Sequence, residues 1–196
     1  MTAPASGAAP SLPGGGAPRL LRLDLHLHTW ASRDCLSHPE AVLARARERK
    51  LGRIAITDHD CLELALEMHR RHPGEIIPGE EVRTREGMDI IGLYLSREIP
   101  RGTPARETCR RIRDDGGVVY LPHPFAPGKG QSGRLARELA PLVDVVEVFN
   151  ARLHPGRLNQ PAGELARVHG LLQGAGSDAH TVGEVGGAWV EVPYHE

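Results

Sequence analysis

Apolar residues in this chain come in short runs, each followed at once by polar groups, with stretches of helical spacing between them. Residues 19–28 alternate: Leu21, Leu23, Leu25 and Leu27 interleave with Arg22, Asp24, His26 and His28. A period of two predicts a strand with Asp24, His26 and His28 on one face. A loop follows over 29–36. Ser37, with Pro39 in the first turn and Glu40 three residues on, predicts a helix start. Val42, Leu43 and Ala46 give that helix its apolar side, and Gly52 suits its left-handed stop. Ile54-Ala55-Ile56-Thr57 reads as a buried strand. Leu62, Ala65, Leu66 and His69 recur at helical spacing until Pro73-Gly74.

Further on, residues 75–78 predict a third strand, 83–87 a turn and 89–95 another strand. Thr103 and Pro104 open a helix that Gly116-Gly117 end. Residues 118–121 form a buried strand, 125–133 a loop, 134–140 a short helix and 143–149 a strand. A helix over 161–169 ends at Gly170, a strand covers 171–176, and an apolar stretch over 188–192 closes the chain. Apolar strands alternating with helices predict an α/β domain with a parallel sheet covered on both faces. Roughly seven strands stand near the eight of a closed barrel. In either an open or a closed layout, functional groups gather at the carboxyl ends of parallel strands.

Composition narrows the function classes. The chain has 196 residues, enough for one domain. Residues 1–18, rich in Ala, Gly and Pro, are expected to be a disordered tail without chemistry, leaving 19–196 as the domain. A net charge of -1 and an aromatic share of 4% give no support to nucleic-acid or membrane-surface binding. No apolar run is long enough to span a bilayer. Cys35, Cys61 and Cys109 form no disulfide framework or zinc-finger spacing, so a cytoplasmic location is expected. The eleven histidines are the outlier.

Those histidines collect with carboxylates where strands should end: His26 and His28, Asp58-His59-Asp60, Glu80-Glu81, His123, Asn150, and Asp178 with His180. Carboxylates brought together repel, and buried imidazoles lose hydration. Shared divalent ions relieve both costs. His with Asp or Glu suits Zn, Mn or Fe rather than an all-oxygen Ca or Mg site. Cys35 and Cys61, close to two clusters, read as packing residues.

The ordered set His26-Leu27-His28, Asp34, Thr57-Asp58-His59-Asp60, Gly79-Glu80-Glu81-Val82, Leu121-Pro122-His123-Pro124, Glu147-Val148-Phe149-Asn150 and Gly176-Ser177-Asp178-Ala179-His180 resembles the PHP family, the polymerase and histidinol phosphatase domain. The resemblance covers about residues 20–193. It implies a distorted (β/α)7 TIM-like barrel with a two- or three-metal centre and hydrolysis of phosphate esters. By motif, it implies that His26, His28, Glu81 and Asp178 hold a first metal, that Glu81 and His123 hold a second, and that Asp34, His59 and His180 hold a third. Glu81 is preferred to Glu80 because the family pattern that the resemblance implies is Gly, any residue, then Glu; strand alternation lets only one of the two point inward. Two departures from the family pattern stand out. Asp89 lies where many relatives place a His, and Arg33 lengthens the spacing between His28 and Asp34.

The activity expected is therefore hydrolysis of a small phosphorylated metabolite or nucleotide by metal-activated water. Asn150, Arg152 and His154 are the candidate catalytic groups, and Arg83, Arg85, Lys129 and Arg134 are further anion candidates. His38, His69, His72, His169 and His195 are expected to have no role. Two alternatives are an amidohydrolase and a non-catalytic metal-binding regulatory module. Amidohydrolases commonly use a barrel-strand Lys, and neither Lys50 nor Lys129 falls at a strand end.

Overall fold

In the computed structural model, which describes residues 19–127 and 132–194, strands and helices alternate around a single sheet. The elements are β1 (Leu20–Leu27), α1 (Pro39–Glu48), β2 (Arg53–Ile56), α2 (Glu63–Arg71), β3 (Ile76–Arg83), β4 (Asp89–Leu93), α3 (Ala105–Asp114), β5 (Val118–Leu121), α4 (Ser132–Leu139), β6 (Val145–Asn150), α5 (Gln160–His169), β7 (Leu172–Gly176) and β8 (Val190–Pro193). The expected tail, Lys129 and His195 lie outside the described residues.

The sheet runs β7-β6-β5-β4-β3-β2-β1-β8. β1, β2 and β3 are parallel, as are β5, β6 and β7. β4 runs antiparallel to both its neighbours, and β8 runs antiparallel to β1. The sheet curls until β1 meets the end of β7. There Asp178 N donates to His26 O at 2.7 Å and His28 N to Ala179 O at 3.0 Å. The α/β barrel expected from the sequence is present, with eight strands among the described residues in place of seven. The extra strand comes from the apolar stretch near residue 190, and the β3–β4 hairpin breaks the parallel order.

Side-chain parity sorts the core. Leu25, Ala55, Ile77, Ile91, Leu93, Tyr120 and Val145 fill the barrel interior. The opposite strand faces, with Leu27, Ile54, Ile56, Ile76, Ile90, Val119, Leu121 and Val146, pack under the helices. Each buried Leu or Ile contributes about 1.5–3 kcal/mol. β1 does not alternate as its sequence predicts. Its register with β2 shifts between Asp24 and Leu27. This irregularity sends Asp24 away from His26 and His28: its carboxylate accepts from Ser177 N at 2.9 Å and Gly186 N at 3.1 Å.

Helix starts also differ in detail. His38, not Ser37, caps α1, its Nδ1 accepting from Glu40 N at 3.2 Å. Ser37 Oγ donates to His180 O at 3.3 Å. Thr103 Oγ1 donates to Pro100 O, while Glu86 accepts from Ala105 N at the start of α3. Lys50, at φ 57°, takes the left-handed position expected of Gly52. α5 does end on Gly170, at φ 65°.

Two glycines on β7 make room for the interior. A Cβ on Gly174 would lie 2.4 Å from Tyr120 Cε2. On Gly176 it would lie 2.3 Å from His26 Cβ and 2.7 Å from Glu147 Oε1. Gly176→Ala is expected to cost about 1–3 kcal/mol by overpacking and to displace His26. Thermal melting should show the loss, with weaker metal binding in the folded fraction.

Candidate metal centre

The strand ends deliver their polar groups to one rim. His26 and His28 come from the end of β1, His59 from just beyond β2, Glu81 from β3, His123 from beyond β5, and Asp178 and His180 from beyond β7. Asp60, His123 and Asp178 hold φ values of 51°, 28° and 52°, in a region L residues avoid. Such backbone persists where the surrounding structure over-determines it, commonly at functional sites.

Glu81 is the centre of the cluster. Its Oε2 lies 3.4 Å from His26 Nε2, 3.4 Å from His28 Nε2 and 2.9 Å from His59 Nδ1. Its Oε1 lies 3.0 Å from His123 Nε2. Asp178 Oδ1 lies 3.5 Å from His26 Nε2 and 3.3 Å from His28 Nε2. On the outer side, Asp34 Oδ2 lies 3.3 Å from His180 Nε2 and 3.6 Å from His59 Nε2. Glu80 turns the other way, accepts from Ile99 N at 2.9 Å, and is pushed by burial up to about 8.

Hydrogen bonds set which ring nitrogens face inward. His26 Nδ1 lies 3.0 Å from Glu147 Oε1, His28 Nδ1 lies 3.1 Å from Ser32 Oγ, and His180 Nδ1 lies 2.9 Å from Asp178 O. With Nδ1–H donated outward, each Nε2 carries a lone pair toward the cluster. His26 Nε2 and His28 Nε2 then face each other at 3.2 Å. Two lone pairs at that distance need a proton or a cation between them. Glu81 Oε2 is buried without a hydrogen-bond partner. Nitrogens bound at about 2.0–2.1 Å to one tetrahedral ion lie about 3.3 Å apart, so the inward donors have the spacing of a shared coordination shell. Among the described residues, three donor groups have ligand atoms close enough to share an ion: His26-His28-Asp178, His26-Glu81-His123, and His28-His59-His180. The donor set fits divalent metal.

The profile of the PHP domain matches residues 24–97, and that of a PHP-associated segment matches residues 156–196. The uncharacterized protein MJ0417 of Methanocaldococcus jannaschii is 36% identical over 178 residues, 87% of this chain and 70% of that protein. The chain belongs to the PHP domain family. A 5'-3' exoribonuclease, Rnm of Salmonella typhimurium, is 39% identical over 160 residues, 68% of this chain and 54% of Rnm. Among solved structures, a two-domain protein of Bacteroides vulgatus containing a predicted PHP-like metal-dependent phosphoesterase superposes with a TM-score of 0.67 at 19% identity, over 90% of this chain and 58% of that one. Endonuclease Q, in complex with a duplex carrying an abasic lesion at the active site, gives a TM-score of 0.60 at 14% identity, over 84% and 50%.

The PHP rim is supported by a further set of groups, of which the sequence had given a role to Asn150 but not to Glu147 or Ser32. Glu147 accepts from Tyr120 OH at 3.1 Å, His123 N at 2.7 Å and Asn150 Nδ2 at 2.9 Å, besides its contact with His26. A lone acid in the run Val145-Val146-Glu147-Val148, in phase with inward Val145, was the signal available. Asn150 Nδ2 also reaches Asp178 Oδ2 at 3.2 Å. Asp58 and Ser32 brace the other flank. Asp89 pairs with Arg83 at 2.8 Å and belongs to none of the donor groups. Cys35 donates to His180 O at 3.1 Å, and Cys61 lines a cavity beside the rim.

Two cavities open from the rim and meet at Asp34. One, of about 600 Å³, is lined by Arg33, His59, Asp60, Cys61, Arg83 and Arg101 among others. The second, of about 420 Å³, is lined by His123, Arg152, His154, Asp178 and His180 among others. Arg83 is committed to Asp89 and to Gly87 O, and Arg134 pairs with Glu138 on the surface of α4. Arg33 and Arg101, which the sequence did not single out, stand at the first cavity beside Arg83, with Arg101 paired to Asp60 at 2.8 Å. Among the other histidines, His38 caps α1 and His69 bonds Ile76 O at 2.7 Å. His72 sits near Glu40 and Glu75, and His169 is exposed.

Burial disfavours charge on His26, but Asp178, Glu147 and Glu81 outweigh it and push its imidazole well above the usual value. Burial would raise Glu81, yet His26, His123 and His59 hold it well below. Asp178 is likewise held low by His26 and His28 against its burial. Burial lowers His28. In the metal-free protein, the carboxylate contribution to stability is present above the ordinary value near 4.5 and lost as pH falls through the depressed values. The His26 contribution is present below about 6.5 and lost as pH rises through its raised value. Metal must displace that proton. Divalent-metal affinity is therefore expected to rise from pH 6 to pH 8 by about tenfold or more, with proton release. Calorimetry in buffers of differing ionisation heat checks both.

Proposed function

We propose that this PHP domain hydrolyses phosphate esters at a centre of two or three divalent ions, Mn, Zn or Fe. In this reading His26, His28, Glu81 and Asp178 hold the first ion, Glu81 and His123 the second, and Asp34, His59 and His180 the third. The observation that carries it is the convergence of lone-pair nitrogens and carboxylate oxygens on Glu81, at the separations of a common coordination shell. Bound divalent ions supply positive charge for phosphoryl oxygens and bring the pKa of water toward neutrality.

The chain's own residues do the rest. Arg152, on the wall of the smaller cavity, meets a phosphoryl oxygen or the leaving group. His154, on the same wall, gives a proton to the departing oxygen. Asn150 acts as a positioning group: its amide ties Glu147 to Asp178, and its Oδ1 accepts from Arg152 N at 2.9 Å. The cavities on either side of Asp34 accept an ester with substituents in both directions as well as a small monoester. With relatives named as an exoribonuclease and a lesion endonuclease, nucleotides and oligonucleotides join small phosphorylated metabolites as candidate substrates, despite the neutral composition. An amidohydrolase reading finds no strand-end lysine among the described residues, since Lys50 lies between the end of α1 and the start of β2.

Purified protein loaded in turn with Mn, Zn and Fe is expected to release phosphate from an aryl phosphate, a nucleotide or a 5'-phosphorylated oligonucleotide. His26→Ala/His28→Ala should lower that rate by about three orders of magnitude or more. A folded double variant with unchanged phosphate release would sink the proposal. Arg152→Ala should raise KM about tenfold, with a smaller effect on kcat, if Arg152 binds substrate and transition state alike.

A further inference from the structure

Ser32 is 1% exposed and lies behind the rim, in the loop between His28 and Asp34. Its Oγ has three neighbours. It donates to Asp58 Oδ1 at 2.7 Å, accepts from His59 N at 3.0 Å, and lies 3.1 Å from His28 Nδ1. Asp58 also accepts from Thr29 N at 2.7 Å and from Thr29 Oγ1 at 2.6 Å. Every contact to that carboxylate arrives as a donor. A hydroxyl has one proton and two lone pairs. Asp58 takes the proton of Ser32, so both lone pairs remain for donors. One receives the backbone N–H of His59. The other can only receive N–H from His28, which places the proton of the neutral ring on Nδ1 and the lone pair on Nε2, facing Glu81 and Asp178.

One oxygen therefore controls two rim histidines by different means. It sets the tautomer and orientation of His28, and it sets the chain position of His59. Their ring centroids are 4.4 Å apart, and both belong to the donor group completed by His180. A hydrogen bond to the outer nitrogen of a ligand histidine fixes which nitrogen faces the metal. We infer that Ser32, polarised by Asp58, is a positioning residue that locks His28 in its metal-accepting tautomer and couples it to His59. The inference rests on the metal-centre reading above, but its first test needs no metal.

The test is ¹⁵N NMR of the imidazoles in metal-free protein, followed by titration with Zn or Mn alone. In the wild type, His28 should carry its proton on Nδ1. In Ser32→Ala the Nε2–H form should become populated, and metal affinity should fall about 10–100-fold with an unchanged fold by circular dichroism. Thr29→Val, which removes a different Asp58 partner, should lower the melting temperature while leaving the His28 tautomer and metal affinity as in the wild type. Wild-type His28 protonated on Nε2 overturns the inference even if Ser32→Ala does not fold. An unchanged tautomer and affinity in folded Ser32→Ala does the same, as does Thr29→Val matching Ser32→Ala in both readouts. If the wild type binds no metal while His28 still carries its proton on Nδ1, the metal-centre reading fails and the tautomer lock stands.

Discussion

A carboxylate oxygen buried among imidazole nitrogens is the constraint around which the barrel is arranged. Glu81 sits on β3 inside the sheet and meets His26, His28, His59 and His123 from three other strand ends. An acid at 1% exposure is costly unless positive charge reaches it. Here that charge must come from protons on the histidines or from cations between them. The outward nitrogens of His26, His28 and His180 are already committed to Glu147, Ser32 and Asp178 O, so the inward lone pairs leave a place for cations.

Holding such a cluster requires rigid supports. Glu147 and Asp58 provide them on opposite flanks, each collecting donors from separate parts of the chain. Barrel closure brings β7 against β1, and the absence of a side chain at Gly176 lets His26 and Glu147 occupy the space. Left-handed backbone at Asp60, His123 and Asp178 turns the chain sharply where the strands end. These features lie on the link between packing and function: the same contacts that close the barrel aim the donor atoms.

Membership of the PHP family is shown, and metal-dependent phosphoester hydrolysis is the chemistry proposed for it. It leaves the substrate to the loops. This chain spans 58% of the Bacteroides structure and 54% of the Salmonella exoribonuclease. What it has in its own right is an open rim with one cavity on each side of Asp34, and arginines in both. No helix among the described residues is long and apolar enough to cross a membrane.

The sequence by itself determined the alternation of strands and helices, the family, and which histidines and acids stand at strand ends, because these depend on local spacing and on motifs in fixed order. The family's Gly-x-Glu pattern chose Glu81 over Glu80, and strand parity added only that one of the two must turn away. Only the tertiary structure decided that Asp24 leaves the His26–His28 face, because a register shift between neighbouring strands cannot be seen in one strand's alternation. The same holds for Asp89, which pairs across the β3–β4 hairpin with Arg83, and for β8, whose partner β1 lies at the other end of the chain. The roles of Ser32 and of Glu147, the latter legible only as a member of a motif, were hidden for a related reason. Their role is in hydrogen bonds to ring nitrogens from elsewhere in the chain, and those partners exist only once the barrel has closed.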